Sequence, residues 1–275
     1  MQERVSAASA ADRPLVGIER PEVGVALFTL DRPETRNALS LAMLGALREA
    51  IRSLGADAAV KAIVLAAEGP AFSAGHDLKE LTAHRSDGDG GRAFYAETMR
   101  QCAGLMQDIV ACPKPVIAAV EATATAAGCQ LVATCDLAVA AETARFCTPG
   151  VNIGLFCSTP MVALSRNIPR KRAMEMLLLG DMISAREAAD HGLVNRAVPA
   201  ERVRAEALGM ARAIAAKSPV TVAIGKAAFY RQAELSLADA YDYAVAVMVE
   251  NMMRADAAEG IEAFLAKRKP EWKGC

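Results

Sequence analysis

The sequence predicts an α/β fold, and two patterns in it lead to this prediction. Short runs rich in β-branched and apolar residues alternate with segments of helical periodicity over the first two-thirds of the chain. The last quarter has helical patterns alone. Alternation of this kind is typical of parallel sheets joined by crossover helices. The 275 residues, 53% of them hydrophobic, are enough to bury a large core.

The elements of the predicted core follow in order along the chain. Strands are predicted at residues 23–30, 61–66, 116–120, 136–140 and 193–198. Helices are predicted at residues 41–54, 93–111, 122–134 after its first residues, 171–179 and 184–191. Ser184 and Glu187 have the spacing of a capping box, and Gly192 is suited to end the helix that they begin.

Beyond residue 200 every predicted element is a helix. These helices are expected at about 201–216, 219–234, 236–254 and 258–268. We therefore expect a flexible tail over 1–14, a core over 15–200 and a helical region over 201–275. A helical region attached to an α/β core often serves as a lid or makes subunit contacts.

Charge and cysteine content narrow the class of protein. Lys and Arg number 31 against 32 for Asp and Glu, so a net charge of −1 argues against nucleic-acid binding. Seven cysteines form an odd set without a CxxC pair, which indicates a reducing compartment. The three histidines lack metal-ligand spacing. With no signal sequence and no run of roughly 20 apolar residues, we expect a cytoplasmic protein with no membrane contact and no metal.

Two strand-to-helix junctions are candidates for chemistry. The first, GPAFSAGHDLKEL at 69–81, places a glycine turn before a helix that starts near Asp77. Asp77 has the position of a helix cap, the favoured interpretation of its carboxylate. The alternative concerns the backbone, because a chain entering a helix at a glycine turn presents unpaired N–H groups that suit an anionic oxygen.

The second junction is EATATAAGCQLVATCD at 121–136, where small residues follow a buried strand. Tight helix packing explains such a patch as well as close approach of a ligand does. Taken together, the two junctions offer one free N–H each. Two converging N–H donors would make an oxyanion hole, which stabilises an enolate or a tetrahedral oxyanion.

Six motifs then occur in order along the chain. They are DRPETRNALS at 31–40, AFSAGHDLKEL at 71–81, KPVIAAVEATATAAGCQLVATCDLAVAAETARF at 114–146, TPGVNIGL at 148–155, GDMISAREAADHGLVNRAVP at 180–199 and EGIEAFLAKRKPEW at 259–272. In this order and at these spacings, the chain resembles the crotonase (enoyl-CoA hydratase/isomerase) superfamily from about residue 24 to residue 272. The stretch GLFCSTP at 154–160 also resembles the animal family called enoyl-CoA hydratase domain-containing protein 3.

This resemblance implies a crotonase (ClpP-like) spiral of ββα units, with two roughly perpendicular sheets and a C-terminal helical region that forms trimers or hexamers. It implies a coenzyme A thioester as substrate and no permanently bound cofactor. By the same resemblance, the backbone N–H groups of His76 and Ala127 form the oxyanion hole. The family usually has glycine at the second position, whereas alanine keeps the N–H but requires ordinary backbone angles.

The resemblance also implies a binding path for coenzyme A. The backbone around Ser73, Ala74 and Leu78, next to His76 and Asp77, is expected to line the path of the adenine and the pantetheine. Arg36 is expected near the phosphates of coenzyme A. Lys267 is expected to reach the cofactor moiety from a neighbouring subunit, with an exposed tail charge as the alternative.

The chain departs from the family at two positions that matter for catalysis. Hydratases of this type use two glutamates, and here Gln130 and Gly150 stand in their places. Glutamine exchanges no proton near neutral pH, and glycine has no side chain. Acid–base catalysis typically accelerates a reaction by about 10²–10⁴-fold, so ordinary hydration is expected to be very slow.

Three alternatives remain open at the level of sequence. Cys157 as a nucleophile would need a base that the local sequence lacks. The GHD motif with a TPxVNxG-like segment also resembles methylmalonyl-CoA decarboxylase, whose chemistry needs an oxyanion hole more than a base. A non-catalytic acyl-CoA binder is the third alternative.

Overall fold

A six-stranded sheet lies at the centre of the computed structural model, which describes residues 13–275. In spatial order its strands are β1 (Val16–Glu22), β2 (Val25–Leu30), β3 (Ala62–Ala67), β5 (Val116–Val120), β7 (Leu137–Ala141) and β10 (Arg196–Val198). β1 and β2 are antiparallel, and the other neighbours are parallel. Every residue of β2, β3 and β5 is buried, which explains their continuous apolar sequences.

A second, smaller sheet has four short strands. These are β4 (Ala71–Ser73), β6 (Thr123–Thr125), β8 (Arg145–Cys147) and β9 (Ile183–Ser184), in that spatial order. β4, β6 and β8 are parallel, whereas β9 runs antiparallel to β8. These strands were not predicted, because two or three residues are too few to show a periodicity.

The helices complete a repeated ββα arrangement. They are α1 (Leu41–Ala56), α2 (Leu78–Ala83), α3 (Arg92–Ala111), α4 (Ala127–Thr134), α5 (Pro160–Asn167), α6 (Arg170–Leu179), α7 (Ala185–His191), α8 (Val203–Ala215), α9 (Pro219–Gln232), α10 (Leu237–Met252) and α11 (Ala255–Leu265). Each of the pairs β3–β4, β5–β6 and β7–β8 gives one strand to each sheet before the chain turns into a helix. The predicted α/β fold is confirmed.

Most predicted elements are also confirmed, with shifts of a few residues at their ends. Ser184 and Glu187 form the predicted capping box of α7, and Gly192 ends that helix with a φ of 84°. β1 and α5 were not predicted. The expected strand at 193–198 is limited to β10, and the segment 122–134 begins with β6 before it becomes α4.

The region after residue 200 is helical, as predicted, but its first helix belongs to the core. α8 packs against β3, β5 and β7 and buries Val203, Ala207 and Ala211. No single helix within residues 13–275 is long and apolar enough to cross a bilayer, and the pair 200–215 and 219–232, which reaches that length jointly, is bent by 108°. The predicted tail lies, up to residue 12, outside the described residues.

Asn37 connects the loop before α1 to the turn between β3 and β4. Its side chain is fully buried, and its backbone is left-handed with a φ of 50°. Nδ2 donates hydrogen bonds to the carbonyls of Glu68 and Ala71, at 2.8 and 2.9 Å, and Oδ1 accepts one from the N–H of Arg32 at 2.8 Å. One side chain therefore satisfies three backbone groups and fixes the segment that leads into β4.

We expect Asn37→Ala to lower the free energy of unfolding by about 2–4 kcal/mol, because three backbone groups lose their partner and alanine is strained at this φ. Asn37→Gly should lose the hydrogen bonds without that strain, so its free energy of unfolding should lie between those of the wild-type protein and Asn37→Ala. Urea denaturation measures both. Thr35→Ala is a control on the same loop, since Thr35 is exposed; an equal loss in this variant would contradict the role of Asn37.

Candidate active site

Three neighbouring strands of the small sheet end at the candidate site. Ser73 of β4 is paired with Ala124 of β6, and Thr125 is paired with Cys147 of β8. Because the strands are parallel, the segments that follow them leave the sheet at the same edge. These segments carry His76, Ala127 and Gly150, so three positions up to 74 residues apart in sequence (150 − 76) follow neighbouring strand ends. Ligands of open α/β sheets bind at the carboxyl ends of strands.

Gly75 lets the loops after β4 and β6 approach each other. It has a φ of 86°, and a Cβ atom built on it would lie 2.9 Å from the Cβ of Ala126 and 3.2 Å from the backbone nitrogen of Ala127. No side chain fits in this space. Within residues 13–275, neither the N–H of His76 nor that of Ala127 donates a hydrogen bond. Two unpaired donors therefore lie on adjoining loops.

The entry into α4 contains a strained alanine. Ala126, the N-cap residue, has φ 50° and ψ −119°, a region that glycine adopts far more readily than alanine. Ala127 is the first helical residue and has ordinary backbone angles, as expected for an alanine at this position. Gly128 packs so closely that an added Cβ would lie 2.4 Å from the carbonyl oxygen of Ser73. The close packing at Gly128 holds α4 against β4, and the surrounding structure keeps Ala126 in its strained conformation.

The imidazole of His76 is neutral and partly unsatisfied. Its Nδ1 lies 3.3 Å from the carbonyl oxygen of Leu39, so this nitrogen carries the hydrogen and donates it. Nε2 is buried and has no partner among the described residues. Burial lowers the pKa of His76 below its ordinary value, although the Leu39 hydrogen bond raises it. The ring therefore brings no positive charge to the site near neutral pH.

The two carboxylates closest in sequence to His76 serve helix ends. Asp77 accepts hydrogen bonds from the backbone N–H groups of Lys79 and Glu80, at 2.9 and 3.1 Å, and so caps α2. Glu80 accepts one from the N–H of Leu41 at the start of α1, at 2.9 Å. The capping interpretation of Asp77 is confirmed, and the geometry directs neither group toward acid–base work.

The residues expected to bind coenzyme A lie in one group, with one exception. The carbonyl of Arg36 accepts a hydrogen bond from the N–H of Ala74 at 3.0 Å, and Arg36, Ala74 and Leu78 are exposed. Ser73 is buried, and its hydroxyl donates to the carbonyl of Asn37 at 2.8 Å, so its side chain is structural. Lys267, exposed after α11, has no hydrogen bond or ion pair to this group in the described part of the chain.

Neither position expected to carry a catalytic glutamate offers an acid or a base. Gln130 is buried on α4, and its Oε1 accepts a hydrogen bond from the thiol of Cys102, with an S···O distance of 3.8 Å. At Gly150, an added Cβ would lie 2.7 Å from the carbonyl oxygen of Leu155 and 2.9 Å from the Sγ of Cys157. Other atoms thus fill the volume that a side chain at position 150 needs.

The chain matches the model of the enoyl-CoA hydratase/isomerase family over residues 20–275. It belongs to this family. It is 48% identical over 265 residues to enoyl-CoA hydratase domain-containing protein 3, mitochondrial, of Mus musculus, covering 96% of this chain and 87% of the mouse protein.

Two solved structures have the same fold. An enoyl-CoA hydratase of Mycobacterium smegmatis superposes with a TM-score of 0.89 at 51% identity, covering 94% of this chain and 99% of the other. Human enoyl-CoA hydratase domain-containing protein 3 has a TM-score of 0.89 at 48% identity, covering 94% and 100%. The crotonase fold and the resemblance to this group are confirmed. Enoyl-CoA hydratases act on coenzyme A thioesters without a permanent cofactor.

The expectation of a cytoplasmic location is wrong. The mouse, rat, Xenopus, human and zebrafish relatives are all named mitochondrial. Free cysteines indicate a reducing compartment, and they do not distinguish one such compartment from another. Among residues 13–275, no group of three or more His, Cys, Asp or Glu side chains is placed to hold a metal ion.

The thiols near the site are not activated in this member of the enoyl-CoA hydratase family. Burial raises the pKa of Cys147 to about 11, and it also raises that of Cys157 above its ordinary value. A thiol needs a lowered pKa to act as a nucleophile at neutral pH. The geometry therefore gives no support to Cys157 as a nucleophile.

A cavity of about 640 Å³ adjoins Gln130 and was not predicted. It lies between α3, α4, α5 and α9, with Met106, Ala163 and Tyr230 among its lining residues. The hydroxyl of Tyr230 donates to Asp136 at 2.9 Å and so ties α9 to the start of β7. The four helices are far apart in sequence, so no local motif marks the cavity. Its volume is in the range of roughly 300–1,000 Å³ common for small-molecule sites.

We expect Ala126→Gly to raise the free energy of unfolding by roughly 1 kcal/mol, since it removes a strained backbone at a smaller cost in chain entropy. Ala127→Gly is the matched control and should lower it by about 0.5–1 kcal/mol, because Ala127 is helical. Urea denaturation of both variants gives the two signs. A loss of stability in Ala126→Gly would show that the backbone of residue 126 is not strained.

Proposed function

We propose that this chain binds an acyl-CoA thioester and stabilises its enolate with the backbone N–H groups of His76 and Ala127. The observation that carries the proposal is the pair of unpaired donors on loops held together at Gly75. Preorganised N–H donors aimed at a developing negative charge are commonly the largest contribution to such catalysis. The N-terminus of α4 adds its positive dipole end at Ala127.

The exposed edge beside these donors would hold the coenzyme A part of the substrate. Arg36 would contact the phosphates, and the backbone at Ala74 and Leu78 would line the pantetheine path. The buried hydroxyl of Ser73 stabilises this edge through its hydrogen bond to the carbonyl of Asn37. The acyl chain would then enter the cavity at Gln130, one helical turn from Ala127.

We also propose a homotrimer, or a pair of trimers, as the working form. The family is generally oligomeric. Helices α10 and α11 expose large apolar side chains, among them Tyr241, Val245 and Phe264. Phe264 is 82% exposed to solvent. Exposed apolar patches of this kind support self-association. In such an assembly Lys267 would be supplied to a neighbouring subunit's coenzyme A.

For the reaction, we propose a step that needs an enolate and no general base. Gln130 and Gly150 supply no carboxylate, while Asp77 and Glu80 are committed to helix ends. Decarboxylation of a malonyl-type thioester, which carries its carboxylate on Cα, meets this condition. The bond from Cα to the carboxyl carbon breaks, its electrons form the enolate, carbon dioxide leaves, and water protonates Cα and is left as hydroxide. A binder without catalysis is the alternative, and its support is the same lack of a base.

The oxyanion-hole role predicts that binding depends on the carbonyl oxygen of the ligand. Butyryl-CoA should bind about tenfold or more tightly than its thioether analogue S-butyl-CoA, because two hydrogen bonds are lost in the analogue. Isothermal calorimetry measures both affinities. In Ala127→Pro, which lacks one N–H, the ratio should shrink. Equal affinities in the wild-type protein, a comparison that needs no variant, would exclude the oxyanion hole.

The lack of a base predicts slow hydration. Crotonyl-CoA should be hydrated at least about 10²-fold more slowly than by a two-glutamate hydratase assayed in parallel by absorbance of the conjugated thioester. Release of carbon dioxide from malonyl-type thioesters tests the decarboxylase proposal, and bound but unconverted thioesters would favour the binder. Hydration at the rate of the two-glutamate enzyme would contradict the proposal and require another base.

A further inference from the structure

We infer that Gln130 selects acyl thioesters that carry an oxygen on C3 of the acyl group, such as a 3-oxoacyl or a malonyl-type thioester. The inference rests on the proposed binding of acyl-CoA at Ala127 and adds a substrate class to it. Gln130 is 3% exposed, lines the cavity of about 640 Å³ and lies three residues after Ala127 on the same helix.

The two ends of the Gln130 amide have different surroundings. Oε1 accepts a hydrogen bond from the thiol of Cys102, and burial raises the pKa of Cys102 to about 12, so this thiol stays protonated and remains a donor. Nε2 has no acceptor within residues 13–275. The amide therefore presents its NH₂ group as a free donor at the wall of the cavity.

The other amide and hydroxyl donors of the cavity wall are already paired within the described chain. The hydroxyl of Thr134 donates to the carbonyl of Gln130 at 2.8 Å, and Asn167 Nδ2 donates to the carbonyl of Ala133 at 2.8 Å. Tyr230 donates to Asp136, and Gln107 Nε2 donates to a carbonyl of its own helix. Among the amide and hydroxyl donors, Gln130 Nε2 is therefore the one left for a ligand. Arg166, a charged donor at the same wall, is paired with Glu234 through Nε and with the carbonyl of Val162 through Nη1.

The position of this donor indicates which atom of the ligand it meets. Side chains three residues apart on a helix have Cβ atoms roughly 5–6 Å apart, so the amide reaches carbons next to the thioester and not the end of a long chain. An acyl group that displaces water from the NH₂ group without offering an acceptor leaves a buried donor unsatisfied. An oxygen on C3 supplies that acceptor, whereas a saturated or enoyl C3 does not.

The neutral amide is also compatible with a negatively charged ligand, which a glutamate at position 130 would repel. A malonyl-type carboxylate and a 3-oxo group are both hydrogen-bond acceptors, and a glutamine NH₂ can donate to either. A carboxylate at position 130 would instead face the ligand carboxylate as a like charge. Variants of this one residue therefore separate the neutral ligand from the charged one.

The test compares affinities for butyryl-CoA, acetoacetyl-CoA and malonyl-CoA by calorimetry, each with wild-type protein, Gln130→Leu and Gln130→Glu. The affinity ratio of acetoacetyl-CoA to butyryl-CoA, and that of malonyl-CoA to butyryl-CoA, should each fall by about tenfold in Gln130→Leu. Gln130→Glu should weaken malonyl-CoA more than acetoacetyl-CoA. Gln232→Leu, the same substitution on α9 outside the cavity wall, is the matched control and should leave both ratios unchanged.

Ratios that stay the same in Gln130→Leu would overturn the inference, as would an equal drop in Gln232→Leu. A drop for one ligand alone would assign the selectivity to the ketone or to the carboxylate and would support the inference in that narrower form. Failure of butyryl-CoA to bind the wild-type protein would instead remove the proposed function. Thermal melting of each variant shows that it is folded.

Discussion

The parallel pairing of β4, β6 and β8 is the constraint on which the candidate site depends. Each strand is only three residues long, yet their register fixes where three separate loops leave the sheet. A slip of one residue would turn every side chain to the other face and would move each backbone donor as well. The contacts that Asn37, Gly75 and Gly128 make with neighbouring segments stabilise this register and restrict the conformations of the loops.

The site divides into features carried by the backbone and features carried by side chains. The donors at His76 and Ala127 are backbone N–H groups, so they persist through many substitutions as long as the turn geometry is kept. Acid–base chemistry depends on particular side chains, and positions 130 and 150 carry a glutamine and a glycine, which supply neither an acid nor a base. A member of the enoyl-CoA hydratase family can thus have the fold and two unpaired backbone donors without a carboxylate at these two positions.

Sequence alone was sufficient for the larger elements, for the motifs at 71–81 and 114–146 and for the cap at Asp77, because these depend on local patterns. It was insufficient for features made by chain segments that meet only in three dimensions. The small sheet, the three hydrogen bonds of the Asn37 side chain and the cavity beside Gln130 belong to this group. The lack of a side chain at Gly150 is evident from the sequence, whereas the filling of that volume by other atoms is not.

The packing at Gly150 bears on which residues this position can accept. The carbonyl of Leu155 and the sulfur of Cys157 occupy the space where a side chain would begin, so any side chain introduced there, glutamate included, meets a steric barrier. Such a substitution would fit only if the 150–157 segment were rebuilt at the same time. An acid or a base at position 150 therefore depends on several coordinated changes in the segment and not on one substitution.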